Sequence, residues 1–183
     1  MNRFKLLLTL TLLTGCATTS GTRNLSAEEE NKQVARAFIE ELYNQRQFDK
    51  APQFVAPDFV DHSPGATPDH KGPEFVRKQA EEMLSSIPDL HFDIQHVVAE
   101  GDLVLVHWNA TGTNPKALDE TGKPKQLQLQ GHSLLRLQGA KLVESWDITD
   151  QLGFLLQQGF KLLPPAPASP GSSGTPASSP AES

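Results

Sequence analysis

The spacing of apolar residues changes once along the chain, near Pro88. Before it, they recur every three or four positions. Val34, Ala35, Phe38, Ile39 and Leu42 make one stripe, and Phe75, Val76, Ala80, Met83 and Leu84 make a second. Such spacing places each set on one face of a helix. Ser26-Ala27-Glu28-Glu29 has the layout of a capping box and opens the first helix. Pro73 suits the first turn of the second. A short helical turn is predicted over 49–55. The stretch "PDFVDHSPGATPDHKGPE" then reads as a long loop with a brief extended piece at Phe59-Val60. After Pro88 apolar and polar residues alternate, which predicts strands over 90–99, 103–111, 126–137 and 141–149. A last amphipathic helix, 151–158, can be capped by Asp150 and closed by Gly159. Helices followed by an antiparallel meander make an α+β fold.

Hairpin loop length decides which side chains share a face. A three-residue loop with Gly139 in the left-handed region puts Asp147 beside Leu127, Leu129, Gly131, Ser133, Leu135, Val143 and Ser145. A two-residue loop at Gln138-Gly139 puts it beside Gln128, Gln130, His132 and Arg136 instead. The same rule at Gly101 gathers Phe92, Ile94, His96, Val98, Val104, Val106 and Trp108 on one face. That sorting separates apolar from polar cleanly, so the three-residue loop is the expectation in both hairpins. Asp147 is then a single carboxylate on an apolar, small-residue face turned toward the helices. Desolvation there raises a carboxylate's pKa and suits it to proton transfer.

Both ends of the chain differ from its body. "MNRFKLLLTLTLLTGC" has two basic residues, a short apolar run and small residues before Cys16, the single cysteine. This is a secretory signal layout, and its end resembles a bacterial lipobox. The resemblance implies a signal peptide over 1–15, a lipid on Cys16 and a tether over 16–25. It further implies a lipid-anchored place in the bacterial cell envelope. "PPAPASPGSSGTPASSPAES" holds almost no large apolar side chain and is expected to be a disordered tail over 164–183. The domain is therefore expected over 26–163. A net charge of −6 argues against nucleic acid as a partner.

Other residues invite chemistry. His62 follows Asp61 at the mouth of the loop and could orient a carbonyl or carry a proton. Trp108, Phe92 and Leu129 are candidate ligand walls, and Ser133 and Ser145 candidate hydrogen-bonding partners. His62, His70 and the acids of "DHSPGATPDH" match no standard metal spacing. "TGKP" lacks the glycine pattern of a phosphate loop and reads as a turn.

"VARAFIEELYN", "PDFVDHSP", "IPDLHFDIQHVVAEGDLVLVHWNATGT" and "GAKLVESWDITDQLGFLLQQG" together resemble the SnoaL-like polyketide cyclases. These belong to the nuclear transport factor 2-like superfamily. The resemblance spans nearly all of 30–160. It implies a cone-shaped α+β barrel, a curved antiparallel sheet closed by N-terminal helices around a pocket. It also implies a homodimer, and an enzyme with neither metal nor cofactor. Its general base removes a proton next to a carbonyl of a small apolar, polyketide-like substrate, and the enolate closes a ring. The shared "D..G...Q.G" ending puts that base on Asp147. The chain departs from the family's cyclases, which carry polar residues on the neighbouring strand where it has Gly131 and Ser133. The alternative on the same pocket is a noncatalytic envelope module that holds a small hydrophobic ligand.

Overall fold

The computed structural model of the chain describes residues 25–163. Cys16, the tether ahead of residue 25 and the Pro/Ser-rich tail lie outside the described residues, and so does the Ser26 side chain of the capping box. No helix among the described residues is long and apolar enough to cross a membrane.

Helix α1, Leu25–Ala37, runs into a π-helical segment, Phe38–Asn44. A 3-10 turn, Phe48–Lys50, and a short α2, Ala51–Phe54, lead into β1, Val55–Asp61. Helix α3, Gly72–Ser86, precedes a meander of β2 (His91–Glu100), β3 (Leu103–Leu118), β4 (Pro124–Gln138) and β5 (Lys141–Thr149). Helix α4, Gln151–Gln157, follows, with the Asp150 carboxylate accepting from the Gly153 N–H at 2.8 Å.

The sheet order is β1-β5-β4-β3-β2. Four strands are antiparallel, and β1 joins the edge parallel to β5. The sequence foreshadowed only Phe59-Val60 of this strand, because Pro57 interrupts it. At an edge a missing N–H costs no ladder bond. One face of the sheet packs on the helices. Ala35, Phe38, Ile39 and Leu42 meet Val76, Ala80 and Leu84 from α3 and Val104, Val106, Leu127 and Leu135 from the sheet. The predicted helical stripes are the faces turned to this core, except that Met83 is exposed. Asn44 fastens the π-helical segment to the sheet. Its amide donates to the Phe92 carbonyl at 2.9 Å and accepts from the Phe92 N–H at 2.8 Å.

Both hairpins correct the turn geometry. Gln138 pairs with Lys141, so the loop is the two residues Gly139 and Ala140, at φ +55° and +61°. Two positive φ values in sequence define a type I′ turn, which matches strand twist. A bulge then intervenes, because Arg136 faces Glu144 whereas Leu137 faces Leu142. The extra residue is Val143, so Leu142, buried to 1% exposure, takes the inner place expected for Val143. Beyond the bulge the parity equals that of a three-residue loop, and Ser133 stands directly opposite Asp147.

The first hairpin behaves likewise. Glu100 pairs with Leu103 around Gly101-Asp102, and a bulge lies between Ile94 and His96. Phe92 and Ile94 face inward as expected. Between bulge and turn the parity reverses, so Val97 and Ala99 pack on the core. His96 and Val98 face outward, Val98 at 59% exposure.

Candidate active site

A cavity of about 770 Å³ opens between the concave face of the sheet and the helices. That is within the usual size range of small-molecule sites. Its walls are mostly apolar, with Phe38, Tyr43, Phe59, Phe92, Trp108 and Leu129 among them. Asp61, Ser63, His70, Ser133, Ser145 and Asp147 supply polar atoms.

Asp147 projects from β5 into this space. Its residue is only partly buried, because its carboxylate faces the cavity. Desolvation pushes its pKa above the usual carboxylate value. The negative charge of Asp61 pushes the same way, and the nearby Ser133, Ser145 and Ser63 hydroxyls offset part of the rise. A carboxylate in such surroundings is a better base than one in water.

The neighbouring residues have defined tasks. Trp108, at 7% exposure, lies on both core and cavity, and its indole N–H donates to Ser133 Oγ at 3.1 Å. Phe92 meets the Trp108 ring edge-on at 5.1 Å. Gly131 opens no space for a ligand, because its own place is filled. A Cβ there would stand 2.7 Å from Trp108 Cη2 and 2.6 Å from the Ile148 carbonyl oxygen. The missing side chain therefore makes room for the indole.

His62 does not enter the cavity. Its ring stacks on Trp146 at 4.8 Å, and its Nε2 lies 3.1 Å from Glu144 Oε1. Glu144 also accepts from Arg136 Nε at 2.6 Å. His62 thus belongs to the outer face of the sheet. The residues before and after it are the ones that line the pocket. Asp61, at 8% exposure, accepts from the Ser63 N–H at 2.9 Å and from Ser63 Oγ at 2.5 Å. His70 Nδ1 lies 3.6 Å from Asp61 Oδ2, with the imidazole stacked on Phe75 at 4.3 Å.

Ser63 and Tyr43 are site residues without a mark in the sequence, and Asp61 and His70 enter the site as cavity lining rather than as the metal ligands their spacing had ruled out. For Asp61 a signal existed. A period of two from Phe59 puts Asp61 inward and His62 outward. For Tyr43 there was none, since the π-helical segment carries it into the cavity. π-Helical turns are enriched at functional sites. Burial raises the Tyr43 phenol pKa, and the charges of Asp147 and Asp61 raise it further. It therefore stays protonated as a hydrogen-bond donor.

A helix-backed, curved sheet of five strands around a pocket is the cone of the nuclear transport factor 2-like fold. The SnoaL-like polyketide cyclase family model matches residues 33–158, and the chain belongs to that family. No curated protein sequence is significantly similar to it. Among solved structures, a candidate polyketide cyclase from Acidithiobacillus ferrooxidans is 26% identical, with a TM-score of 0.62. The alignment covers 71% of this chain and 94% of that one. IdmH from Streptomyces antibioticus, also described as a candidate polyketide cyclase, is 24% identical over 71% and 99% of the two chains, with a TM-score of 0.61. AclR from Streptomyces galilaeus, described as a candidate hydroxylase, shares the fold at 23% identity and a TM-score of 0.58, over 72% and 97%.

Proposed function

We propose that the protein is a cyclase or isomerase that abstracts a proton next to a carbonyl, with Asp147 as general base. The observation that carries this reading is a carboxylate with a raised pKa, set in an apolar cavity and faced by hydroxyl groups. The substrate is small, apolar and carbonyl-bearing. Phe92, Trp108 and Leu129 form its walls, while Ser133 and Ser145 keep the carboxylate oriented. Tyr43 is the candidate donor to the enolate oxygen, since such charge is stabilised by a fixed donor in a dry site. Proton removal gives the enolate, and its carbon then attacks a second carbonyl of the same molecule. The bond formed is carbon–carbon, and the proton returns to the new alkoxide.

The chain purified from membranes in detergent tests this. Bound small molecules are identified by mass spectrometry, and neutral polycyclic β-keto esters are then incubated with it in D₂O. Wild type should catalyse deuterium uptake at the carbon between the carbonyls, and Asp147→Asn should not. Equal uptake by both would defeat the base assignment. Retention of a ligand without exchange or turnover in either would favour a noncatalytic carrier.

Location and assembly are proposals of the same kind. We infer that Cys16 is lipidated and holds the protein to the envelope. Palmitate labelling should be present in wild type and absent in Cys16→Ala, and label retained by the variant would refute the anchor. The homodimer is supported by the outer face of the sheet. There Val98, Leu105, Leu134 and Trp146 stand side by side across four strands. Contiguous apolar surface of this kind marks interaction sites. Light scattering should give a dimer for wild type and a monomer for Leu134→Asp. A monomeric wild type would sink this proposal.

A further inference from the structure

Two carboxylates line the cavity, and the reading above uses one of them. The other, Asp61, is the more deeply buried. Its strand, β1, pairs with β5 as far as Asp61 opposite Ser145, and the His62 N–H then donates to the Ser145 carbonyl at 2.8 Å. One step further along, the Asp147 N–H finds no main-chain acceptor on β1. It donates to Ser63 Oγ at 2.9 Å. A hydroxyl has one hydrogen to give. At 2.5 Å from Asp61 Oδ1 and 3.4 Å from Asp147 Oδ2, that hydrogen belongs to Asp61. Ser145 Oγ approaches the same Asp61 oxygen at 3.4 Å.

The two acids therefore stand in different relations to the serine. Asp61 holds its hydroxyl in one orientation. Asp147 receives the hydroxyl oxygen on its main chain and leaves its own carboxylate turned to the cavity. We propose that Asp61 is the positioning residue of this site, holding the Ser63 hydroxyl on the main chain of Asp147 and presenting a second negative charge to the same cavity. The catalytic consequence rests on the general-base reading of Asp147, whereas the positioning itself rests on the hydrogen bonds. The titratable groups lining the cavity are Asp61, His70, Tyr43 and Asp147. Among them only His70 can bring a positive charge, and its Nδ1 lies 3.6 Å from Asp61 Oδ2. Like charges in one site oppose joint ionisation, so Asp61 strengthens Asp147 as a proton acceptor.

Carboxyl-carbon NMR titration of the full chain in detergent tests the electrostatic half. In Asp61→Asn the Asp147 midpoint should move down. In Asp61→Glu, which keeps the charge, it should stay close to wild type. An unchanged midpoint in Asp61→Asn, with the amide spectrum otherwise preserved, overturns the proposal. Ser63→Ala tests the positioning half and remains decisive if Asp61→Asn does not fold. Amide hydrogen exchange at Asp147 should quicken about tenfold, the effect of losing one hydrogen bond. Unaltered exchange there refutes the serine link. If Asp147→Asn still catalyses deuterium uptake, the base assignment falls while the titration result stands. If only the titration is flat, Asp61 loses its role and Asp147 keeps its own.

Discussion

Asp147→Asn is expected to lower turnover by about 10²–10⁴-fold, the range over which a positioned general base contributes. Affinity for the bound ligand should change little, because Asn is nearly isosteric and the walls are apolar. The pH dependence follows from the sign of the shift. The base must be ionised to act, and burial raises its pKa. The acid limb of kcat/KM should therefore lie above the ordinary Asp range and report the titration of Asp147.

The same shift has a counterpart in stability. A carboxyl whose pKa is higher in the folded chain than in the unfolded one binds its proton more tightly when folded. Stability from that group is present at low pH and is lost as pH rises through the folded value. Asn carries no charge and escapes the loss. Asp147→Asn should therefore melt at or above the wild-type temperature near neutral pH. The two curves should converge below the unfolded value of about 3.9. Calorimetry across that interval checks it, and a variant less stable than wild type at neutral pH would contradict a strained, desolvated base. Lower activity together with higher stability separates a functional carboxylate from a structural one.

Much of this arrangement was legible in the sequence, though by a different device. The face of Asp147 was inferred from a three-residue loop. The actual loop has two residues, and a bulge at Val143 restores the same parity. Cleanly sorted apolar residues demand that parity whichever local geometry supplies it. The sorting misled at Val143, whose inner place Leu142 takes, and at His96 and Val98, where either register leaves an apolar side chain on each face. Asp61 was obscured by its neighbour His62, whose side chain is the better suited to proton transfer near neutral pH. The alternation beginning at Phe59 already pointed inward at Asp61. Tyr43 was not legible, because a π-helical segment adds a residue per turn without any compositional mark. Asp61 and Asp147 lie 86 positions apart in the chain, and only the parallel pairing of β1 with β5 brings them together.

Gly131→Ala should have the largest effect on the fold relative to its size. The added Cβ would meet the Trp108 indole and the Ile148 carbonyl oxygen, the latter at 2.6 Å. That carbonyl is main chain of β5, which is held in register by Ser133 opposite Asp147 and Gly131 opposite Thr149. It cannot withdraw without opening the ladder beside the candidate base. The indole is also confined, by its hydrogen bond to Ser133 and by Phe92. Overpacking of a tight core costs about 1–3 kcal/mol, and more where backbone must move. At about 2–4 °C per kcal/mol for a domain of this size, melting should fall by roughly 5–10 °C. The response of the site distinguishes which neighbour yields. If the indole swings into the cavity, ligand capacity falls and Trp fluorescence shifts while β4–β5 amide protection persists. If β5 gives way instead, protection at Ile148 and Thr149 is lost and Asp147 leaves its place opposite Ser133. A variant that melts like wild type would mean that the close approach of Trp108 to Gly131 is not part of the native packing.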